Sequence, residues 1–444
     1  MPSPKNFLII TQVFSPDPAA VGQYFDEAAQ AIAGTGAKVT VLTANRGYDN
    51  PDEQFAAKED RDGIRIRRLP FSSFGKASIP LRIFAQLSFL IQCILRGLFT
   101  PKLTDLLVST SPPMAAITAV IIGFFRPKLK VHYWVMDINP DQAVILGAFS
   151  PKHPLVLALD WLNRRMLKRA DNVIALDRFM AERMEAKLTR PEAELRRPIT
   201  IIPPWPMDDY LETVPHSENQ FRKAQGWENK FVVMYSGNHS LVHPLDTILD
   251  AAETLKDDPR FVFAFIGGGK GKEIVDARVA QLNVERCSLN EESAATNNQQ
   301  PTTNNLISLP YQPLDQIRFS LSAADLHIVS LGNDMSGIVH PCKIYGALSI
   351  GRPVLTLGPK ESYLSDMIES RELRSEIGET ARIGWSIEHG DVDAAVAALT
   401  AAAGQTQQKR AAIGQRAEEV ARERFSREQL VNQFLETVLN AEDD

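Results

Sequence analysis

The feature that most constrains the fold is an alternation of short apolar runs with helical patterns, which occurs twice along the chain. The β-branched run Phe7–Thr11 is followed by a helical pattern at Tyr24–Ala33 and a second run at Lys38–Thr43. A strand, a helix and a further strand form a βαβ unit, and such units build parallel sheets. The alternation starts again at Phe231, so we predict an α/β chain with two doubly wound parallel sheets.

The remaining elements follow the same reasoning. In the first half the pattern predicts a helix at Leu155–Arg169 and strands at Ile64–Leu69, Leu106–Ser109, Val131–Val135, Asn172–Ala175 and Ile199–Ile202. In the second half it predicts helices at Ser217–Gln225, Leu245–Leu255 and Glu273–Val284, and strands at Phe231–Ser236, Phe261–Ile266, Leu306–Leu309, Leu326–Val329 and Val354–Leu357.

The two alternations are separated by Pro203-Pro204-Trp205-Pro206, because three prolines in four residues cannot lie inside a helix or a central strand. A chain of 444 residues also exceeds one ordinary core. We therefore predict an N-terminal domain at 1–205 and a C-terminal domain at 206–423. The apolar spacing of the last helix predicts that 424–444 crosses back to the first domain. The polar stretch Leu289–Asn305 predicts a disordered surface insertion.

Composition excludes some classes of protein. The formal net charge of −6 gives no support for nucleic-acid binding. Three widely spaced cysteines make a disulfide framework improbable and favour a reducing cytoplasm. The N-terminal apolar run is too short for a signal peptide and leads into a polar loop.

One stretch of the chain is basic, in contrast to the negative net charge of the whole. Between Gly63 and Met136 there is one acidic residue, Asp105, against ten lysines and arginines, and the stretch contains the apolar segment Ile79–Phe99. Arg82 and Arg96 interrupt that segment, which argues against a membrane-spanning helix. It is either a buried helix or part of a basic, apolar face, over 63–136, that rests on anionic lipid headgroups. The second interpretation predicts peripheral attachment to the inner face of the plasma membrane.

Three motifs follow predicted strands of the second half, at the edge where open parallel sheets bind ligands. Glycine loops of this kind leave backbone N–H groups free to approach phosphate oxygens. The motifs are Ser236-Gly237-Asn238-His239-Ser240, Gly267-Gly268-Gly269-Lys270 and the segment Ser336–Leu355, which reads SGIVHPCKIYGALSIGRPVL. A tight strand-to-helix turn also needs glycine without any ligand, so the triple glycine alone is a weak signal.

The segment Ser336–Leu355 resembles the nucleotide-sugar site of GT-B glycosyltransferases of family 4, whose text is near P-S-K-x-x-E-Y-x-A-x-G-K-P-V. Other segments resemble the family in the same order along the chain: Phe14–Gln23 its first glycine loop, Tyr235–His239 the start of its donor domain, and Phe265–Gly269 the loop under the base. Asp137-Ile138-Asn139-Pro140-Asp141 resembles a segment of the colanic-acid and O-antigen type members.

The resemblance implies two Rossmann-like domains that face a central cleft, and a sugar transfer that retains the anomeric configuration and needs neither metal nor cofactor. The donor substrate is a nucleotide-diphosphate sugar, and the acceptor a glycan or a polyprenyl-linked sugar in cell-surface polysaccharide biosynthesis. Carried onto this chain, the donor site comprises Gly237, Asn238, His239, Ser240, His243, Gly267, Gly268, Gly269, Lys270, Gly337, Pro341, Lys343 and Tyr345. The acceptor side comprises Gly22, Gln23, Asn139 and Asp141.

Three residues are predicted to take part in catalysis. Lys343 would neutralise the leaving diphosphate, Asp137 would orient or deprotonate the acceptor hydroxyl, and His340 would hydrogen-bond the sugar or phosphate. Asp137 could instead cap the next turn, and His340 could be a surface histidine. The D-x-D string at Asp391–Asp393 is interpreted as a helix cap and not as a metal site.

The chain departs from the family pattern at two positions. The family's paired glutamates fall on Ile338 and Gly346, and the usual Arg and Lys after the donor-domain glycine are replaced by His239, Ser240 and His243. Diphosphate charge must then be met by Lys343, Lys270, backbone amides and a protonated histidine. Two alternatives therefore stay open: a transferase for a soluble small acceptor, and a non-catalytic homologue that binds a nucleotide sugar.

Overall fold

The computed structural model describes residues 5–17, 19–47, 52–73, 79–206, 212–294, 305–369 and 382–440. They divide into two compact units. The first is drawn from Met1–Pro204, Gly337–His340 and Glu428–Asp444, and the second from Trp205–Ser336 and Pro341–Arg427.

The first unit is built on an eight-stranded sheet. Its strands are β1 (Asn6–Ile10), β2 (Lys38–Ala44), β3 (Lys58–Arg61), β4 (Ile64–Leu69), β5 (Asp105–Ser109), β6 (Lys130–Trp134), β7 (Asn172–Ala175) and β8 (Thr200–Ile201). They are ordered β3-β4-β2-β1-β5-β6-β7-β8. Every neighbouring pair is parallel except β3 and β4, which form an antiparallel edge. The central strands are buried on both faces because helices cover both.

The helices of the first unit connect these strands. They are α1 (Ala20–Gly34), α2 (Ile79–Phe99), α3 (Ala116–Phe125), α4 (Asp141–Ile145), α5 (Pro154–Arg169), α6 (Arg178–Glu185) and α7 (Pro191–Glu194). The connections from β4 through β7 all move towards β8, whereas those from β1 to β4 move the other way. With right-handed crossovers, α2, α3 and α5 therefore lie on one face of the sheet and α1 on the other.

The second unit contains a six-stranded parallel sheet, ordered β11-β10-β9-β12-β13-β14. Its strands are β9 (Phe231–Ser236), β10 (Phe261–Ile266), β11 (Leu306–Leu309), β12 (Leu326–Ser330), β13 (Val354–Leu357) and β14 (Gly384–Ile387). Its helices are α8 (Gln220–Ala224), α9 (Asp246–Thr254), α10 (Lys272–Ala294), α11 (Ile317–Ser322), α12 (Lys343–Ser349), α13 (Tyr363–Glu369), α14 (Val392–Ala403) and α15 (Gln407–Arg424).

The last helix, α16 (Arg427–Leu439), belongs to the first unit from Glu428 onward. The ring of Phe434 packs against Trp134 at the end of β6, with ring centroids 4.8 Å apart. The side-chain amide of Asn172 donates to the carbonyl of Thr437 at 2.8 Å. The C-terminal helix therefore completes the core of the first unit.

The structure corrects part of the predicted insertion at Leu289–Asn305. Helix α10 continues to Ala294, so Leu289–Ala294 is helical, and Asn305 is buried with its side-chain amide donating to the carbonyl of Lys256 at 3.0 Å. The absence of aliphatic residues did not prevent the helix from continuing, since polar residues propagate a helix that is already nucleated. Residues 295–304 lie outside the described part of the chain.

Helix α2 has the bounds that the sequence predicted for the apolar segment. Over the described residues, none of the helices is both long enough and apolar enough to cross a membrane.

Candidate functional site

Two glycine turns of the second unit are fused through their backbones. The N–H of Gly237, after β9, donates to the carbonyl of Ile266 at 2.9 Å. Gly267, after β10, has a φ of +133°, and a β-carbon there would lie 2.0 Å from the carbonyl oxygen of Gly237. No residue larger than glycine fits at 267, so the close approach of the two turns explains that glycine.

The following residues continue the same contact. The N–H of His239 donates to the carbonyl of Gly268 at 2.6 Å, and the N–H of Gly271 donates back to the carbonyl of His239 at 2.7 Å. A β-carbon on Gly269, which also has a positive φ, would lie 2.0 Å from Oδ1 of Asn238. Ser240 closes the first turn by accepting from the N–H of His243 at 3.0 Å. The predicted donor-site residues Gly237–Ser240 and Gly267–Gly269 thus form one rigid platform.

Lys343, the first residue of α12, extends over this platform. Its side chain passes Gly237, where a β-carbon would come within 2.7 Å of Cε, and its ammonium lies 5.3 Å from the ring centroid of Tyr235. Among the described residues no hydrogen bond or ion pair engages this ammonium, and desolvation lowers its pKa to about 8. An unpaired, largely desolvated cation beside two glycine turns is arranged to receive an anion.

The two histidines beside Lys343 are neutral at pH 7. Burial, reinforced by the charge of nearby lysines, lowers the pKa of His239 to about 4 and that of His243 to about 3. Nε2 of His239 and Nδ1 of His243 are buried without a hydrogen-bond partner among the described residues. In this structure neither imidazole supplies the positive charge that the sequence analysis assigned to a histidine.

Two further predicted donor residues, Lys270 and Tyr345, differ in their exposure. Lys270 is exposed on the loop, whereas Lys272 is held by Asp276 at 2.7 Å, by Ser308 and by the carbonyl of Phe265. Tyr345 is only 1% exposed, and its hydroxyl lies 2.7 Å from that of Tyr363. Tyr345 therefore anchors α12 in the core and does not reach a donor, because the tyrosine two residues after Lys343 falls on the inner side of the helix. Pro341 precedes α12 and accepts from the N–H of Ile344 at 3.2 Å.

In the first unit, Gly22 is tightly packed at the start of α1. A β-carbon there would lie 3.0 Å from Val13 and 3.1 Å from the backbone nitrogen of Phe14. Gln23, the next residue, is half-buried. The first glycine loop is therefore held tightly against the residues that follow β1. Such packing would fix the backbone of the loop in place.

Asp137 lies beyond the carboxyl end of β6, half-buried. The hydroxyl of Thr110 accepts from the backbone N–H groups of Met136 and Asp137, each at 3.1 Å, and so fixes the turn. Desolvation raises the pKa of Asp137 to about 6. This value suits a carboxylate that accepts a proton near neutral pH.

The rest of this segment makes contacts within the first unit. The carbonyl of Asn139 accepts from the side chain of Asn163 at 2.6 Å. The carboxylate of Asp141 lies 2.7 Å from the ammonium of Lys187, which also pairs with Asp160 at 2.9 Å. The predicted acceptor role of Asp141 is therefore not supported, because its charge is already neutralised.

The segment Gly337–His340 is part of the first unit. Gly337 has a φ of +71°, and a β-carbon there would lie 2.4 Å from the carbonyl oxygen of Phe179. The carbonyl of Ile338 accepts from the N–H of Ile138 at 2.9 Å. Gly337 is thus explained by its close approach to the start of α6, not by a donor contact.

His340 is paired with an aspartate that sequence reasoning missed. Nδ1 of His340 lies 2.7 Å from Oδ2 of Asp177, and both side chains are 1% exposed. Oδ1 of Asp177 also accepts from the N–H of Met180 at 2.8 Å, so Asp177 caps α6. The alternative of a surface histidine is therefore wrong. The one signal in the sequence was a capping aspartate before a helical pattern, which indicates a helix start and no partner.

Asp391, by contrast, acts as predicted: its Oδ1 accepts from the N–H of Ala394 at 3.0 Å and caps α14.

Comparison with known proteins identifies the class of enzyme. A model of the glycosyl transferase 4-like domain matches residues 19–205. The chain is 26% identical over 312 residues to the glycosyltransferase WbjE of Pseudomonas aeruginosa, covering 66% of each protein. It is 22% identical over 372 residues to the colanic acid biosynthesis glycosyl transferase WcaI of Escherichia coli K12, covering 80% of this chain and 84% of that one.

The fold is similar to that of Anabaena Alr3699/HepE, solved in complex with UDP and glucose. The TM-score is 0.68 at 16% identity, over 98% of this chain and 100% of that one. The two parallel-sheet α/β units and this similarity show the GT-B fold, and the match over residues 19–205 together with the two relatives shows a glycosyltransferase.

Proposed function

We propose that this enzyme transfers a sugar from a nucleotide-diphosphate donor to a glycan or polyprenyl-linked acceptor in cell-surface polysaccharide biosynthesis. The observation that carries the proposal is the unpaired ammonium of Lys343 beside the fused turns at Gly237 and Gly267. The colanic acid biosynthesis role of WcaI and the UDP complex of HepE support the biosynthetic context and the kind of donor.

In the second unit, we assign the diphosphate to Lys343. Negative charge builds up on the diphosphate as the bond to the sugar breaks, and a fixed, desolvated cation stabilises that charge more than a solvated one would. The backbone of the glycine platform can approach phosphate oxygens closely because no β-carbon intervenes. Such a site requires no metal ion or cofactor, and metal independence is part of the proposal.

The nucleoside has a candidate place in the same unit. A cavity of about 670 Å³ lies between α10 and the edge strand β11 and extends to Gly267 after β10; Lys272, Ser308 and Pro310 are among the residues that line it. It begins at the glycine platform, so a diphosphate held there would direct the nucleoside into the cavity. Backbone groups at the strand ends would then contact the base.

In the first unit, we assign the acceptor to the loop after β6. Asp137 would accept a hydrogen bond from the attacking hydroxyl and draw off its proton, since a pKa of about 6 leaves it ionised at pH 7. Transfer with retention of configuration, a cytoplasmic location and attachment to the inner face of the plasma membrane belong to the same proposal. A soluble small acceptor and a non-catalytic nucleotide-sugar-binding homologue are the alternatives to be tested.

The test combines binding and turnover. The full chain would be screened by thermal shift against UDP, GDP and ADP sugars, because a ligand that binds the folded state raises its melting temperature. Nucleotide release would then be measured with the stabilising donor and with lipid-linked or soluble acceptors. Lys343→Met should weaken donor binding about tenfold or more, whereas Lys409→Met, a matched change of an exposed lysine on α15, should have little effect.

Each alternative has its own result. Saturable donor binding without turnover on any acceptor would favour the non-catalytic homologue. Turnover with soluble acceptors alone would overturn the lipid-linked acceptor. Equal donor affinity in Lys343→Met and the wild type would contradict the assignment of the diphosphate to Lys343.

A further inference from the structure

The first unit has a helical layer, made of α2, α3 and α5, that covers one face of its sheet. A β-carbon on Gly97 of α2 would lie 2.4 Å from Cδ1 of Ile122 in α3, and one on Gly123 of α3 would lie 2.5 Å from Nε of Arg169 in α5. The glycines therefore allow the three helices to pack closely side by side. Their outward faces form one continuous surface.

Helix α2 presents an apolar stripe on the outside of this layer. Residues at four-residue intervals point outward along its length: Ile83, Leu87, Ile91, Leu95 and Phe99, of which Ile91 is 56% exposed and Phe99 80%. The opposite side of the helix is buried through Ala85, Phe89 and Cys93. The stripe spans about 24 Å at 1.5 Å per residue, so it is far longer than an isolated exposed side chain.

The neighbouring helices extend the apolar surface. Phe124 and Phe125 at the end of α3 are 78% and 65% exposed, and Leu157 and Trp161, one turn apart on α5, are 57% and 55% exposed. Soluble monomers rarely leave so many large apolar side chains together in water. Trp161 also has the amphipathic ring that is enriched where an apolar phase meets water.

The charges that α2 and α3 bring to this surface are of one sign, and the carboxylate of Asp160 on α5 is paired with Arg164 and with Lys187. Helices α2 and α3 contain no acidic residue. Arg96, Lys102 and Lys128 are exposed near the ends of α2 and α3, and the guanidinium of Arg165 lies 5.3 Å from the ring of Trp161. The surface therefore complements an anionic partner.

The structure also changes the extent of the basic region that the sequence indicated over 63–136. Arg67 pairs with Asp60 at 2.9 Å and Arg68 with Glu59 at 2.7 Å, so strand β3 neutralises part of that charge. Conversely, Leu157, Trp161 and Arg165 of α5 lie outside that stretch and belong to the surface.

We propose that the outward face of α2, α3 and α5 docks on a lipid bilayer that contains anionic lipids. Apolar side chains would enter the headgroup boundary, and the basic residues would attract the lipid phosphates. A second copy of the chain fits less well, because a two-fold contact through this face would bring the basic residues of both copies together. The inference concerns a surface of the first unit, rests on the membrane attachment given in the proposed function, and does not depend on the identity of the donor or the acceptor.

Flotation of the full chain with vesicles tests the proposal directly. We expect binding to vesicles of equal parts phosphatidylglycerol and phosphatidylcholine, and much weaker binding to phosphatidylcholine alone. The pair Leu87→Glu with Ile91→Glu, and separately Trp161→Glu, should each weaken binding about tenfold or more. Lys102→Glu with Lys128→Glu should weaken binding to the anionic vesicles and reduce its dependence on salt.

Matched controls lie in the second unit. Leu314→Glu changes another exposed leucine, and Lys223→Glu with Lys409→Glu makes the same change of charge, so vesicle binding should persist in both. Sedimentation analysis should show that every variant keeps the wild-type oligomeric state, and its thermal unfolding should remain cooperative. If the helix α2 variant does not fold, the Trp161 and lysine variants still decide.

Three results would overturn the proposal. The first is no wild-type binding to anionic vesicles. The second is equal binding by wild type and the folded surface variants. The third is a wild-type protein that forms a dimer and does not bind vesicles, together with an α2 variant that is monomeric. This result would assign the face to a second copy.

Discussion

The side chain of Lys343 lies directly over Gly237, where a β-carbon would come within 2.7 Å of Cε. Gly237 also has a φ of +124°, which disfavours any other residue. Gly237→Ala should therefore displace the ammonium and raise the KM for the donor about tenfold or more, with a smaller change in kcat. Gly226→Ala is the control: Gly226 has a φ of +70°, but a β-carbon there meets nothing within 4 Å. Equal effects of the two changes would show that strain, not Lys343, is responsible.

The lowered pKa of Lys343 predicts a pH dependence of donor binding. Only the charged lysine attracts the diphosphate, and the pKa is about 8 before binding. The affinity for the nucleotide identified by the thermal-shift screen should begin to fall above about pH 7, should be about halved at pH 8, and should then fall towards tenfold per pH unit. Titration calorimetry would measure it. Lys343→Met should bind weakly with a flat profile over the same range, and a falling profile in this variant would assign the titration to another group.

Asp137 predicts a pH dependence of opposite sense. Its pKa is raised to about 6, so the carboxylate takes up a proton as pH falls through 6 and can no longer accept one from the acceptor. The rate should therefore decline below pH 6, and Asp137→Asn should lower kcat by about 10²–10⁴. Asp160→Asn, a change of a carboxylate already paired with Lys187 at 2.9 Å, should keep the wild-type profile. An unchanged rate in Asp137→Asn would leave Asp137 with a structural role only.

The Asp177–His340 pair predicts coupling between two distant parts of the sequence. Removing either partner leaves a buried polar group unsatisfied, so Asp177→Ala and His340→Ala should each destabilise the first unit by about 1–3 kcal/mol. Asp177→Ala should cost more, since it also removes the cap of α6. A double-mutant cycle from urea unfolding should give a coupling energy of about 0.5–3 kcal/mol. Strict additivity would mean that the two side chains do not stabilise each other.

Much of the architecture could be predicted because the spacing of apolar residues along the chain indicates which residues are buried. The predicted bounds of the strands at Phe231–Ser236 and Phe261–Ile266 are confirmed, as each is an apolar run buried on both faces. Strand β3, Lys58–Arg61, was missed, because its four charged residues carry no apolar signal and it is held at the sheet edge by pairing with β4. Strand β14, which begins at Gly384, was missed for want of a long apolar run.

The candidate site was predictable only where a backbone requirement shows in the sequence. Glycines at 237, 267 and 269 mark turns that no other residue could make. The sequence does not show which residues these glycines contact, because the contacts between Gly267 and Gly237 depend on the pairing of β9 with β10. Asp177 was missed for the same reason: its partner His340 is 163 residues away, and no local pattern encodes that distance.

The position of helix α16 determines when the first unit can be completed during synthesis. Its eight strands are all made before the second unit begins. The hydrogen bond from Asn172 to Thr437, however, cannot form until the chain has been extended by a further 265 residues. Until the C-terminal helix leaves the ribosome, the Trp134 side of this sheet has no Phe434 to cover it. A nascent chain therefore carries an exposed apolar seam throughout translation of the second unit, until the helix Arg427–Leu439 closes it.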